Sequence, residues 1–141
     1  MESDYSINSS TMAKNFALLF GLVFVVVGIL GFVGGLGIVG PTGFFVTDTA
    51  HDLVHLLSGI VLVLVSVAAP SKSKSALVVF GIVYLLVTVL GFMSASGSIL
   101  GLLAINTADN YLHLVLGLAL LLAGLSKNVS AQILQPSQPM M

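Results

Sequence analysis

The chain has 141 residues, 57% of them hydrophobic and only 6% charged, with a formal net charge of −1. A mean hydropathy of +1.17 separates it from soluble domains, in which about a quarter of residues are charged, and places it in a bilayer. A balance this close to neutral leaves no basic surface for nucleic acid, and the absence of cysteine excludes a disulfide framework, thiolate metal ligation and a cysteine nucleophile together.

The first fourteen residues, Met1 to Lys14, are polar and include Glu2 and Asp4, unlike the basic start of a cleavable signal peptide, so the first apolar stretch is expected to stay as a span. Four apolar runs follow: Phe16 to Val33, Leu53 to Ala69, Ala76 to Met93 and Tyr111 to Leu125. With its flanks, each reaches the roughly 20 residues that a helix needs to cross the hydrocarbon layer. Helices rather than strands follow because lipid offers backbone groups no partner, and the runs lack the alternation of a barrel strand. The expected organisation is a polar segment (1–14), a first pair of spans (15–69), a polar turn (70–75), a second pair (76–125) and a polar tail (126–141). All four basic residues, Lys14, Lys72, Lys74 and Lys127, flank the spans on the side of the termini and the central turn, which the positive-inside rule makes cytoplasmic. Asp48, Asp52, Asp109 and the three histidines fall on the opposite side.

The two pairs of spans echo each other. Phe20-Gly21 and Gly31-Phe32 recur as Phe80-Gly81 and Gly91-Phe92 at an offset of 60, and the stretch Thr49 to Gly59 recurs as Thr107 to Gly117 at an offset of 58. The two-residue difference belongs in the loop between Phe32 and Gly43. The expected fold is therefore all-α, a four-helix transmembrane bundle built from tandem two-span repeats around a pseudo-two-fold axis along the membrane normal. Glycine-rich apolar loops, 34–43 and 94–101, precede short apolar pieces, 44–46 and 102–104, expected at the outer surface or over the bundle mouth.

Thr49 with Asp52, and Thr107 with Asn110, have the spacing of a helix-capping pair, and capping is the plain reading of these four residues. The histidines ask for more. His51 and His55 lie one turn apart on one helix face, as do Asp109 and His113, and the repeat sets His51 over Asp109 and His55 over His113. If the axis passes between spans two and four, three imidazoles and a carboxylate converge, a set suited to zinc or another borderline divalent ion. His55 and His113 are alternatively candidates for haem axial ligands, or either one for a chlorophyll-type pigment. The structural alternative has each histidine tie an outer loop to its helix, and a proton or pH-sensing role is a third option.

Gly31 with Gly35, Gly91 with Ala95, and Ala119 with Ala123 present small-x-x-x-small surfaces for helix packing. Tyr84 and Thr88, one turn apart in span three, are expected to point inward, and Tyr111 to anchor at the interface. The chain contains no nucleophile elbow, phosphate loop, dinucleotide fingerprint or His-Glu-x-x-His, and no arginine. Catalysis is thus not expected.

The motifs Asp52-Leu53-Val54-His55-Leu56-Leu57-Ser58-Gly59 and Asn110-Tyr111-Leu112-His113-Leu114-Val115-Leu116-Gly117 resemble those of a bacterial family of small four-span membrane proteins catalogued only as a domain of unknown function. The resemblance implies fold and membrane location, and no activity. The expected role is a non-enzymatic accessory or structural subunit in the lipid bilayer, partnered by other membrane proteins. The alternatives are a metal, haem or pigment binder using the paired histidines, and a small channel or carrier lined from the outer loops.

Overall fold

The computed structural model describes residues 9–126. Among them are four helices long and apolar enough to cross a membrane: α1 (Ser9–Phe32), α2 (Thr49–Ala68), α3 (Ser73–Met93) and α4 (Thr107–Leu125). They pack as an all-α bundle in which α1 pairs closely with α2 and α3 with α4, giving two hairpins. The polar tail expected from Ser126 lies, apart from Ser126 itself, outside the described residues, as do Lys127 and the first eight residues of the polar N-terminal segment.

Two boundaries differ from the sequence reading. The first helix begins at Ser9, so that Ala13 is fully buried in the core rather than part of a polar lead. A helix satisfies its own backbone inside or outside hydrocarbon, and polarity alone does not mark its start. The central turn is also shorter than expected: Pro70–Lys72 form one 3-10 turn, after which α3 begins at Ser73. Proline at the first position of that turn gives up an N–H that no helix bond requires.

Lys74 fixes the arrangement of this end. Its Nζ donates to Ser9 Oγ at 2.7 Å and to the Ser126 carbonyl at 2.8 Å, so the start of α1, the start of α3 and the end of α4 meet at one pole.

Close helix approach occurs deeper in the bundle than the sequence reading placed it. Gly35 lies in a 3-10 turn after α1, and Ala95 is exposed in the loop after α3, so neither completes a helical packing pair with Gly31 or Gly91. The contact between α1 and α2 is instead made where Gly59 meets the Gly21 carbonyl; a Cβ there would come within 2.6 Å of that oxygen. Gly81 and Gly117 stand at the matching positions of the second hairpin, against Leu121 and Leu85. Without a hydrophobic drive between helices in lipid, such backbone approach supplies the dispersion contacts that hold them. Ala123 is buried and Ala119 partly so on α4.

The buried positions of the hairpins correspond. Ala13, Ala17, Gly21, Phe24, Gly28 and Gly31 are buried on α1, and Ser73, Leu77, Gly81, Tyr84, Thr88 and Gly91, each 60 residues later, are buried on α3. His51, Asp52, His55, Gly59 and Leu62 on α2 are matched 58 residues later by Asp109, Asn110, His113, Gly117 and Leu120 on α4. At the centre Phe24 and Tyr84 stack face to face, 4.9 Å apart and inclined by 9°. With Leu62, Leu77 and Leu120 they fill the middle of the bundle.

The outer loops are short strand pairs. In the first, β1 (Val39–Gly40) pairs parallel with β2 (Phe45–Val46); in the second, β3 (Ser98–Ile99) pairs antiparallel with β4 (Leu103–Ala104). Leu36 and Leu100 at the loop tips adopt left-handed backbone, with φ of 58° and 52°.

Candidate metal centre

The caps of α2 and α4 sit one residue earlier than Thr49 and Thr107. Asp48 Oδ1 accepts from the His51 N–H at 2.9 Å, and Asn106 Oδ1 accepts from the Asp109 N–H at 2.9 Å. The two threonines are exposed. An extended residue just before the helix aims its side chain at the third following N–H, and Asp48 and Asn106 hold that conformation while Thr49 and Thr107 are already helical. Asp52 and Asn110 therefore have no capping task. Each is buried against a glycine of its own hairpin: a Cβ on Gly31 would overlap the Asp52 carboxylate, and one on Gly91 would overlap the Asn110 amide.

Asp48 also joins the hairpins. Its Oδ2 accepts from the Ala104 N–H at 2.9 Å, while Asn106 Nδ2 donates to the Phe44 carbonyl at 2.8 Å. Strand β4 is thereby drawn across the mouth of the bundle, as expected for residues 102–104. Its Ala104 carbonyl lies 2.8 Å from His51 Nδ1.

Beneath this strap the four residues singled out from the sequence come together. His51 and His55 from α2 meet Asp109 and His113 from α4, and all four are between 1% and 3% exposed. One ring nitrogen from each of the three histidines can be chosen so that all lie within 4.8 Å of one another. His51 Nε2 is 3.2 Å from His55 Nε2 and 3.9 Å from Asp109 Oδ2, and Asp109 Oδ2 is 3.4 Å from His113 Nδ1.

Protons in the cluster can be placed by elimination. A carbonyl only accepts, so His51 Nδ1 carries the hydrogen that faces Ala104, and its Nε2 offers a lone pair. His55 Nε2 then donates to His51, which leaves His55 Nδ1 to accept from the Tyr84 hydroxyl at 3.2 Å. The other half of the cluster has no such solution: Asp109 Oδ2 and His113 Nδ1 are buried without a hydrogen-bond partner. Unpaired buried carboxylate oxygens are costly, and such an orphan calls for an explanation.

The haem and pigment options do not fit this geometry. The His55 and His113 rings stack face to face, with centroids 5.7 Å apart and planes inclined by 15°, whereas axial ligands aim nitrogens at one iron from opposite sides of a macrocycle. Burial of both rings likewise leaves no face on which a pigment could lie. Thr88 turns inward as expected and bonds its own helix at the Tyr84 carbonyl, and exposed Tyr111 packs on Phe92. The sequence reading passed over Asp48, Asn106, Phe24 and the Ala104 carbonyl. Of these, Phe24 was discoverable, since it lies 60 residues before Tyr84.

Compared with known families, residues 14–126 match the one described as Domain of unknown function (DUF4383). The chain belongs to that family. The DUF4383 match spans all four helices apart from the first turn of α1. No curated protein and no solved structure matches the chain.

Proposed function

We propose that this DUF4383 protein is a non-catalytic membrane subunit that binds one divalent metal ion at the outer end of its bundle, through His51, His55, His113 and Asp109. The observation that carries this reading is the orphaned pair, Asp109 Oδ2 and His113 Nδ1, set beside two further imidazoles in a site closed to solvent. Tetrahedral zinc with bonds of about 2.0–2.1 Å needs its ligand atoms about 3.3 Å apart. Three of the six ligand separations are 3.2, 3.4 and 3.9 Å, and the three imidazole nitrogens lie within 4.8 Å of one another, so the ligands draw together around an ion. Imidazole nitrogens with one carboxylate favour zinc and its first-row neighbours over magnesium or calcium. Because the ligands come from both hairpins, the ion acts as a staple between them, and the buried site leaves no room for a substrate.

Metal analysis and zinc titration of gently purified protein test the proposal. The expected result is one ion per chain, lost in His55→Ala combined with His113→Ala. No stoichiometric binding, or binding that the double variant leaves unchanged, overturns it.

The same reading makes the protein an accessory to larger membrane subunits, with the Lys74 pole cytoplasmic and the metal centre on the opposite face. Lysine distribution supports the orientation. In this cysteine-free chain, Ser71→Cys and Thr42→Cys report it directly: an impermeant thiol reagent added from outside is expected to label only the second. Co-purification with larger subunits at fixed stoichiometry checks the accessory role.

A further inference from the structure

The hairpins differ at one position directly below the histidines. Phe24 on α1 and Tyr84 on α3 are the stacked pair at the centre of the bundle, so the phenolic oxygen is a polar atom that only one member of the pair carries. That oxygen lies 3.2 Å from His55 Nδ1, and the Ser58 hydroxyl, one turn after His55 on α2, is near enough to interact with it. The counterpart of Ser58, 58 residues later, is Leu116. Two hydroxyls thus neighbour His55, while their counterparts by the repeat, Phe24 and Leu116, are apolar.

We infer that Tyr84 is the positioning residue of the metal centre, holding His55 in whichever tautomer the state of the site requires. The inference rests on the metal-binding reading above. In the metal-free arrangement His55 Nε2 carries the hydrogen and Nδ1 accepts from Tyr84. Ligation through Nε2 requires a lone pair there, so the His55 hydrogen must move to Nδ1, and the ring stays neutral with the same number of protons. Nδ1 then becomes a donor, and its neighbour must accept.

A phenol can do both, since its oxygen donates in one state and accepts in the other. When Tyr84 accepts from His55, its own hydrogen turns to Ser58. His51 needs no such partner, because Nδ1–H faces the Ala104 carbonyl in either state. Outer hydrogen bonds of this kind orient ligating imidazoles and raise their basicity, and their loss typically weakens metal binding by ~10–100-fold.

The test is zinc affinity, with cobalt(II) as a spectroscopic probe, in the full-length protein and in Tyr84→Phe. The variant places phenylalanine against Phe24, so the central stack survives and only the oxygen is removed. The expected result is one ion per chain bound ~10–100-fold more weakly, with a shifted cobalt ligand-field spectrum; the metal-free protein keeps its helical fold but melts somewhat lower, because buried His55 Nδ1 loses its donor. Ser58→Ala, at a partly exposed position, is expected to give a smaller loss in the same direction and carries the test if Tyr84→Phe fails to fold. If wild-type protein binds the ion and the variants match it in affinity and spectrum, Tyr84 has no such role while the metal centre stands. A wild-type protein that takes up no metal overturns both.

Discussion

The two hairpins bury corresponding positions with different chemistry. Where α2 offers His51, α4 offers Asp109; Asp52 is answered by Asn110, Phe24 by Tyr84 and Gly28 by Thr88. The exchanges sit on one backbone frame, in which the close helix approach at Gly59 is repeated at Gly117. The Phe24/Tyr84 exchange lies in the middle of the bundle, while those at 51/109 and 52/110 fall at its polar end. They turn a set of paired imidazoles into three neutral nitrogen donors and one anionic oxygen, a combination that neither hairpin has alone. The outer loops diverge further. The loop after α1 is longer, with parallel strands, and the loop after α3 supplies the antiparallel strap that reaches back to His51 and Asp48.

The sharpest way to break this comparison is at position 109 against position 51. Asp109→Ala removes the only charge among the four ligands, and zinc affinity is expected to fall by the roughly 2–5 kcal/mol typical of removing one member of a buried charged pair. His51→Ala removes a neutral donor from the corresponding site and should cost less in the same titration. Next come the glycines that admit Asp52 and Asn110. Gly31→Ala and Gly91→Ala each force a methyl into a buried polar side chain, so a loss of about 1–3 kcal/mol in detergent unfolding is expected, larger at Gly31, where the Cβ would overlap the Asp52 side chain most closely.

The helix caps give a smaller effect. Asp48→Ala and Asn106→Ala each lose a cap worth about 1 kcal/mol, and Asp48→Ala also frees the strap by removing the acceptor for the Ala104 N–H. Thr49→Ala and Thr107→Ala should stay within about 0.5 kcal/mol of wild type by the same thermal melts. A larger loss at either threonine would restore the earlier placement of the caps.

Much of the site was legible in one dimension. Hydropathy marks the four spans because the lipid requirement acts on every residue of each. The offset of 58 sets His51 level with Asp109 and His55 level with His113 in the chain alone. The caps were not legible in this way: Asp48, Thr49 and Asp52 all have side chains able to cap, and only the backbone angles at Asp48 decide among them. The small-residue surfaces were misplaced for a related reason. Gly31 and Gly35 have the right spacing, but the helix ends between them, and spacing carries meaning only on a continuous helix.

By itself the sequence determined class, span number and the correspondence of His51 with Asp109 and of His55 with His113, because membrane burial and a repeated motif are properties of the chain alone. Tertiary structure decided which atoms meet: that the four site residues converge, that the Ala104 carbonyl fixes the His51 tautomer, that Tyr84 stands under His55, and that Asp109 Oδ2 and His113 Nδ1 face each other at 3.4 Å without a formed hydrogen bond. Those contacts cross from one hairpin to the other or depend on side-chain rotamers. Their geometry exists only once two helix pairs, each stable in its own spacing, have docked at a particular depth and rotation.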